Sequence, residues 1–217
     1  MAKTVIFANG LSGYHEKNKE YITAGDKIIC ADGGTLYALK MGLIPDVLVG
    51  DFDSLPPKVL EEMRNKNVII EQYPEKKDKT DLELAIIAAE QFGMDEVLIL
   101  TAFGGRLDQF LTNILLLTRP TWKVKRFRIA DGYQQGWILK GPDKLILYGQ
   151  MGDKLSVIPI SGQITGLELK GLEWPIQNKT VKRGSTLTLS NTFKENKAII
   201  KINTGICVIV RIEKTEK

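Results

Sequence analysis

Short apolar runs alternate with helical segments from Val5 to Pro120, and this alternation constrains the fold more than any other feature of the sequence. The apolar runs predict strands at 5–8, 27–31, 47–50, 68–70 and 97–100. Helices are predicted at 16–24, 35–41, 57–65, 81–92 and 106–119. Repeated strand–helix units are typical of a mostly parallel sheet with helices on both faces. The sequence therefore predicts an α/β domain, and ligands of such sheets bind beyond the carboxyl ends of the strands.

The pattern changes at about Lys123. Short β-type runs recur at 144–148, 155–160, 186–189, 198–202 and 206–212, separated by turns rich in glycine and proline. Close turn spacing and the absence of a helical period favour an all-β, antiparallel sandwich. We therefore expect two domains, an α/β domain at 1–122 and a β-sandwich domain at 123–217, without a low-complexity linker between them.

Composition and missing motifs exclude several classes of function. The 217 residues carry a net charge of +4 that is not clustered, which is compatible with an anionic substrate but not typical of a nucleic-acid-binding protein. No run has the length of a membrane span and the start lacks a signal peptide, so we expect a cytoplasmic protein with no membrane partner. Cys30 and Cys207 lie in apolar runs and are expected to be buried thiols. There is no Rossmann or P-loop motif, and the only histidine, His15, is expected to be exposed.

The stretch 47–54 places two carboxylates directly after an apolar run. Asp51 and Asp53 are two residues apart, so they point to the same side if the chain stays extended. Two carboxylates ~4 Å apart repel by about 1 kcal/mol in water, and by several times more at a lower dielectric. Mg²⁺ removes this repulsion and is commonly held by acidic oxygens beside substrate phosphates. The alternative is an exposed acidic turn in which Ser54 caps the next helix.

Clusters of acids and glycines stand at the strand-to-helix junctions. They are Asp32-Gly33-Gly34, Asp51-Phe52-Asp53-Ser54, Asp78-Lys79-Thr80-Asp81 and Gly104-Gly105-Arg106-Leu107-Asp108. Free N–H groups at a helix start bind phosphate, glycines let phosphate approach the backbone, and Arg106 offers a planar pair of donors. Helix capping or turn formation explains each cluster alone; Thr80 and Glu83, for example, have the spacing of a capping box. All four at one edge of a sheet favour a phosphate-and-metal site.

With these residues the sequence closely resembles the thiamine pyrophosphokinase family, over nearly its whole length. The resemblance rests on the four clusters, with Ala31 before the first, Lys77 before the third and Gln109 after the fourth, and on Ile44-Pro45-Asp46. In the second half it rests on Gly171-Leu172-Glu173-Trp174-Pro175 and Ser190-Asn191-Thr192-Phe193. The segments 130–137 and 186–189 depart from the pattern expected for the family.

The resemblance implies an α/β catalytic domain, a β-sandwich domain that helps to bind thiamine, and a homodimer with sites between subunits. It implies transfer of pyrophosphate from ATP to thiamine, with release of AMP and with Mg²⁺ as cofactor. Asp51, Asp53 and Asp81 match the magnesium-binding acids. The resemblance assigns ATP binding to Asp32, Gly33, Gly34, Lys77, Asp78, Thr80, Gly104, Gly105 and Arg106. It assigns thiamine binding to Gln109, Trp174, Ser190 and Asn191.

The chemistry of these residues leaves several points open. The alcohol of thiamine must attack in line, and Asp51, Asp53, Asp81 and Asp108 are all candidates for the group that accepts its proton. Trp174 offers an aromatic face to a cationic ligand, but it could also be an ordinary core tryptophan. A diphosphokinase for another hydroxymethyl heterocycle, such as a pterin, would share the acidic site. A sensor that binds thiamine or nucleotide without turnover is the third possibility.

Overall fold

A computed structural model describes residues 2–215, which belong to two compact units that divide after Gly132. The division falls later than the predicted boundary after Trp122. The reason is a strand at Arg126–Asp131, which pairs in parallel with the preceding strand at Glu96–Leu100 and so belongs to the first unit. The outer ends of the two predicted domains, Met1 and Lys217, lie outside the described residues.

The described part of the first unit alternates strands and helices. The strands are β1 (Thr4–Phe7), β2 (Lys27–Ala31), β3 (Val47–Gly50), β4 (Ile69–Gln72), β5 (Glu96–Leu100) and β6 (Arg126–Asp131). The helices are α1 (His15–Lys19), α2 (Gly34–Lys40), α3 (Pro57–Asn65), α4 (Asp81–Gln91) and α5 (Leu107–Leu117). The strands lie in the order β6-β5-β1-β2-β3-β4, and all neighbours are parallel. The predicted parallel, helix-flanked sheet is confirmed.

The central strands of this sheet are buried, as their continuous apolar sequences predict. Phe7, Cys30 and Leu48 from three neighbouring strands pack in one cluster with Ala38 of α2 and Met63 of α3. The α4 helix contacts β1, β2 and β3. This packing leaves the carboxyl ends of β1, β2, β3 and β5 at one edge of the sheet, where the predicted acid and glycine clusters follow.

Two helices of the first unit differ from the prediction. The α1 helix is only five residues long, because the chain turns at 20–26, where the Asp26 carboxylate accepts hydrogen bonds from the backbone and hydroxyl of Thr23. His15 is half-buried rather than exposed, with its ring 5.5 Å from that of Tyr37. In α5 the apolar face expected to be buried is exposed at Leu107, Leu111 and Leu115. The helix is apolar on more than one side, and it buries the side with Asn113, Leu116 and Leu117 instead.

The described part of the second unit consists of antiparallel strands. They are β7 (Gln134–Lys140), β8 (Asp143–Tyr148), β9 (Lys154–Pro159), β10 (Gln163–Lys170), β11 (Ile176–Lys182), β12 (Asn191–Thr192), β13 (Lys197–Ile202) and β14 (Ile206–Ile212). They form two sheets within this unit, β12-β9-β14-β7 and β11-β10-β13-β8. Leu139, Val157 and Ile209 of the first sheet share one hydrophobic core with Leu147 and Ile200 of the second.

One segment predicted as a strand in this unit is not a strand. Residues 186–189 form a turn in which the Leu189 N–H donates to the Thr186 carbonyl over 3.1 Å. Thr188 forms paired hydrogen bonds with the backbone of Val157 in β9. The strands β7, β10 and β11 were not predicted, because glycine or polar residues interrupt their apolar alternation. Cys30 and Cys207 are buried free thiols, as expected. Among residues 2–215 no helix has the length and apolar character of a bilayer span.

Candidate active site

Three carboxylates converge where two neighbouring strands end. Asp32 follows β2, and Asp51 and Asp53 follow β3. Each offers one oxygen, and these oxygens all lie within 4.8 Å of one another. Asp32 is buried, Asp51 is half-buried and Asp53 is exposed. The cluster therefore runs from the interior of the first unit to its surface.

The backbone around these acids is shaped for close approach. Asp32 and Phe52 both have positive φ angles, 48° and 65°, in the left-handed region that few non-glycine residues adopt. Phe52 is buried with only 6% of its surface exposed, so it anchors the segment between Asp51 and Asp53. A Cβ atom added at Gly50 would lie 3.2 Å from the Asp32 Cβ, tighter than an ordinary contact. A glycine there lets the end of β3 pass beside Asp32.

The Asp32 carboxylate is only half satisfied by hydrogen bonds. Its Oδ2 accepts a short hydrogen bond from the Ser54 hydroxyl and a weaker one from the Asn9 amide at 3.4 Å. Its Oδ1 is buried and has no hydrogen-bond partner among the described residues. A buried, unpaired carboxylate oxygen beside two other acids is costly without a cation. The donor set of this cluster therefore fits a hard, oxygen-preferring ion such as Mg²⁺.

Asp81, the third acid of the predicted metal set, is separated from Asp51 by the ammonium group of Lys77. Lys77 Nζ is 3.0 Å from Asp51 Oδ2 and 3.0 Å from Asp81 Oδ1. The Lys77 hydrogen bond holds the pKa of Asp51 below its ordinary value. Burial raises the pKa of Asp81, and the Lys77 ammonium offsets only part of this effect. The group of mutually close oxygens among the described residues contains Asp32 rather than Asp81.

A cavity of about 600 Å³ opens beside the acids, within the first unit. Asp32, Asp51 and Asp81 line it on one side. The cavity is also lined by other predicted ATP-binding residues, namely Lys77, Thr80, Gly104, Gly105 and Arg106. Gln109, a predicted thiamine-binding residue, lines it as well. Asn9 and Asn113 also line the cavity and were missed from the sequence, although the Asn9-Gly10 pair after β1 was a signal that could have identified Asn9.

Some predicted site residues lie outside this lining. Asp78 is exposed in the loop before α4. Asp108 is exposed and paired with Arg106 at 2.6 Å, which lowers the pKa of Asp108. Gly34 is buried, and a Cβ there would lie 2.1 Å from the Phe7 carbonyl oxygen.

Two more members of the predicted ATP-binding set have local contacts. Gly33 lies against the Asn9 side chain. Thr80 caps α4 by accepting the Glu83 N–H over 3.3 Å. The Glu83 carboxylate accepts from Arg119 rather than closing the expected capping box.

The predicted thiamine residues of the second unit form a local surface feature. Trp174 is 60% exposed, which excludes its alternative role as a core tryptophan. Asn191 is 4% exposed. Its side-chain amide accepts a hydrogen bond from the Trp174 N–H at 3.1 Å and donates one to the Trp174 carbonyl at 2.7 Å. Ser190 has a φ of 55°, and its N–H donates to the Ser156 hydroxyl at 2.9 Å. Asn191 therefore fixes the backbone of Trp174, while the indole ring stays exposed.

Comparison with known proteins assigns the chain to a family. The model of the thiamin pyrophosphokinase catalytic domain matches residues 18–130, more than half of the chain. The chain belongs to the thiamin pyrophosphokinase family. A second model of this family, the vitamin B1 binding domain, matches residues 144–207 within the second unit. The family resemblance noted from the sequence motifs is thereby confirmed.

Individual members of the thiamin pyrophosphokinase family resemble the chain over nearly its full length. A thiamine pyrophosphokinase of Bacillus subtilis (strain 168) is 29% identical over 201 residues, which cover 93% of this chain and 91% of the relative. A crystal structure of the enzyme from Bacillus subtilis has a TM-score of 0.87 at 27% identity, covering 99% of this chain and all of the other. The enzyme from Geobacillus thermodenitrificans has a TM-score of 0.82 at 25% identity, covering 100% and 99%.

Proposed function

We propose that this chain transfers the diphosphate group of ATP to the hydroxyl group of thiamine, giving thiamine diphosphate and AMP. One observation carries the proposal: three carboxylates cluster at the carboxyl edge of a parallel sheet, and two of them, Asp32 and Asp51, line a cavity. Asp32 has a buried oxygen without a hydrogen-bond partner. Family membership adds the identity of the acceptor, since a vitamin B1 binding domain model matches the second unit. That match favours thiamine over a pterin as acceptor.

We propose Mg²⁺ as the cofactor, held by Asp51, Asp53 and Asp81 as the family resemblance implies, with Asp32 as a further acid of the same cluster. When bound, Mg²⁺ neutralises charge on the triphosphate and orients it for in-line displacement. The chain's own contribution is to hold the carboxylates in place. Asn9 and Ser54 fix the Asp32 carboxylate by hydrogen bonds, so its geometry is set before any ligand arrives.

The triphosphate is proposed to bind along the cavity wall formed by Gly104, Gly105 and Arg106. Glycines allow close approach of phosphate to backbone N–H groups, and the guanidinium can bind two phosphate oxygens at once. Transfer to thiamine requires a carboxylate that accepts the hydroxyl proton. The pairing of Asp108 with Arg106 disfavours Asp108 for this task and favours an acid beside the cavity.

The second unit is proposed to supply the thiamine contacts through Trp174 and Ser190. Thiamine is a cation, and an exposed indole face stabilises a cation by ~0.5–2 kcal/mol, depending on desolvation. Family membership also supports helices on both faces of the parallel sheet in the first unit and an all-β sandwich in the second unit. It supports a cytoplasmic homodimer with active sites between subunits, which remains our proposal for this chain.

The direct test is incubation of the purified chain with ATP, Mg²⁺ and thiamine, followed by mass spectrometry. We expect thiamine diphosphate and AMP in equal amounts. The Asp53→Asn variant should be slower by about 10² or more, as for other preorganised electrostatic groups. Formation of ADP, diphosphorylation of a hydroxymethyl pterin in place of thiamine, or binding without turnover would contradict the proposal.

A further inference from the structure

Lys77 holds an unusual place beside the acid cluster. Its ammonium lies 3.0 Å from one oxygen of Asp51 and 3.0 Å from one oxygen of Asp81, which belong to different elements of the sheet edge. The lysine side chain is 12% exposed, and those of Asp51 and Asp81 are 17% and 32% exposed. These are shielded ion pairs, so solvent screens them less than it screens pairs on the surface.

Charge counting makes this lysine the counter-ion of the site. Asp32, Asp51, Asp53 and Asp81 bring four carboxylates to the same sheet edge, and Lys77 is the one cation that forms described ion pairs with them. A lysine ammonium is a compact point charge with three donors. Nζ donates a hydrogen bond to Asp51 Oδ2 and forms an ion pair with Asp81 Oδ1. Lys77 thereby balances part of the negative charge before any metal arrives.

A divalent ion that bridges these two oxygens competes with the lysine ammonium for the same position. Mg²⁺ binds carboxylate oxygens at about 2.0–2.1 Å, whereas the oxygens of Asp51 and Asp81 each lie 3.0 Å from Nζ. An ion that bridges both oxygens needs the space that Nζ occupies. In that arrangement the lysine leaves as the metal enters.

We propose that Lys77 is the resident counter-ion of the nucleotide-free site, and that a divalent ion displaces it from Asp51 and Asp81. The inference rests on the proposed function, because it takes these acids as metal ligands. Lys77 also lines the cavity, so the displaced ammonium stays within reach of a bound triphosphate. The lysine thus passes from protein carboxylates to substrate phosphates when metal and nucleotide bind.

This role predicts a different effect on metal affinity from that of a lysine that only binds phosphate. If Lys77 competes with the metal, its removal strengthens metal binding in the absence of nucleotide. A lysine that only binds phosphate would change this affinity no more than any other lysine beside the cavity does. Lys79 provides the matched control, because it lines the same cavity but is exposed and has no ion pair among the described contacts.

The experiment titrates nucleotide-free protein with Mn²⁺ alone, an ion that also prefers oxygen ligands, and measures the free ion by electron paramagnetic resonance. We expect Lys77→Met to bind Mn²⁺ about tenfold tighter than wild type, within the usual range of coupling between two ligands. Lys79→Met should bind Mn²⁺ as wild type does. Lys77→Gln, which keeps a polar side chain, should also bind more tightly and replaces the methionine variant if that one fails to fold.

Equal or weaker Mn²⁺ binding by both Lys77 variants would overturn the inference, and so would tightening of the same size in Lys79→Met. Absence of Mn²⁺ binding by every protein, wild type included, would overturn it as well, because the lysine would then have no competitor. Formation of thiamine diphosphate by the same wild-type preparation is measured separately. A working enzyme with unchanged Mn²⁺ affinities therefore rejects the counter-ion role alone.

Discussion

Replacing Asp32 by asparagine removes a buried negative charge from the acid cluster while keeping the shape of the side chain. The asparagine carbonyl oxygen can still accept from Ser54 and Asn9, as Asp32 Oδ2 does. The amide group then takes the place of Oδ1, the buried oxygen without a hydrogen-bond partner, and can donate to a neighbouring acid. We therefore expect Asp32→Asn to be more stable than wild type in the absence of metal.

The size of this gain follows from the spacing of the charges. At the 4.8 Å limit of the cluster, two unit charges repel by about 0.9 kcal/mol in water and about 3.5 kcal/mol at an effective dielectric of 20. Partial exposure of Asp51 and its ion pair with Lys77 weaken this repulsion, so a gain of about 1 kcal/mol is expected. In a chain of this size that gain raises the melting temperature by roughly 2–4 °C.

Calorimetry with and without Mg²⁺, together with the product assay, tests this prediction. The metal-free variant should melt above wild type, gain less stability from Mg²⁺, and lose about 10² or more in turnover. Glu61→Gln is the control, because Glu61 is exposed on α3 and loses the same charge. A variant less stable than wild type without metal, or one with full activity, would refute the assignment of Asp32 as a destabilising functional acid.

The remaining predictions concern packing, thiamine affinity and pH. Gly34→Ala should lower the free energy of unfolding by about 3 kcal/mol in denaturant titrations, because its Cβ would lie 2.1 Å from the Phe7 carbonyl oxygen. Trp174→Ala should raise the KM for thiamine by about 2- to 30-fold and leave the KM for ATP unchanged. Burial alone would raise the pKa of Asp26, but hydrogen bonds from the Lys3 side chain and from the backbone N–H groups of Thr23 and Lys3 lower it. Asp26 therefore stabilises the fold above pH 3.8 and loses this effect as the pH falls, so Asp26→Asn should cost stability at pH 7 and little in strong acid.

Each of these three predictions has a control or an opposite result. Gly162→Ala should be neutral, since a Cβ there would meet nothing within 4 Å. Equal loss of affinity for ATP and thiamine in Trp174→Ala, or a lower melting temperature, would assign the tryptophan a structural role. A constant stability deficit of Asp26→Asn from pH 7 down to pH 2 would show that the carboxylate is not ionised and stabilising at neutral pH.

The parallel sheet could be predicted from the sequence because its signals are local. Strands such as β3 are continuous apolar runs, and Gly50 and Gly42 mark where an element ends. The faces of α5 could not be predicted in the same way. Its leucines occupy more than one side, so only packing decides that Leu116 is buried and Leu111 is exposed. The turn at 186–189 was missed for a similar reason, since its residue types also favour strands.

The acids themselves were predicted, but their partners were not. Asp51 and Asp53 are two residues apart in the sequence, whereas Asn9 reaches Asp32 only through the pairing of distant strands. The bridge that Lys77 makes between two acids likewise depends on where the loop before α4 lies. Contacts between residues far apart in one sequence leave no periodic signal, so they emerge only when the fold is known.

Strand register explains why the acids of different strands meet at one level. Ala31 of β2 is paired with Val49 of β3, which brings Asp32 beside Gly50. The Asp32 N–H donates to the Val49 carbonyl at 2.9 Å and locks this register. A shift of one residue between the strands would turn their side chains to opposite faces and separate the carboxylates. Repulsion among the acids would favour such a shift. The buried apolar pairs of β2 and β3 oppose the shift, because it would disrupt their packing. The stability of the sheet thus holds the acidic cluster together, and the cluster in turn requires a cation, supplied by Lys77 in the absence of metal.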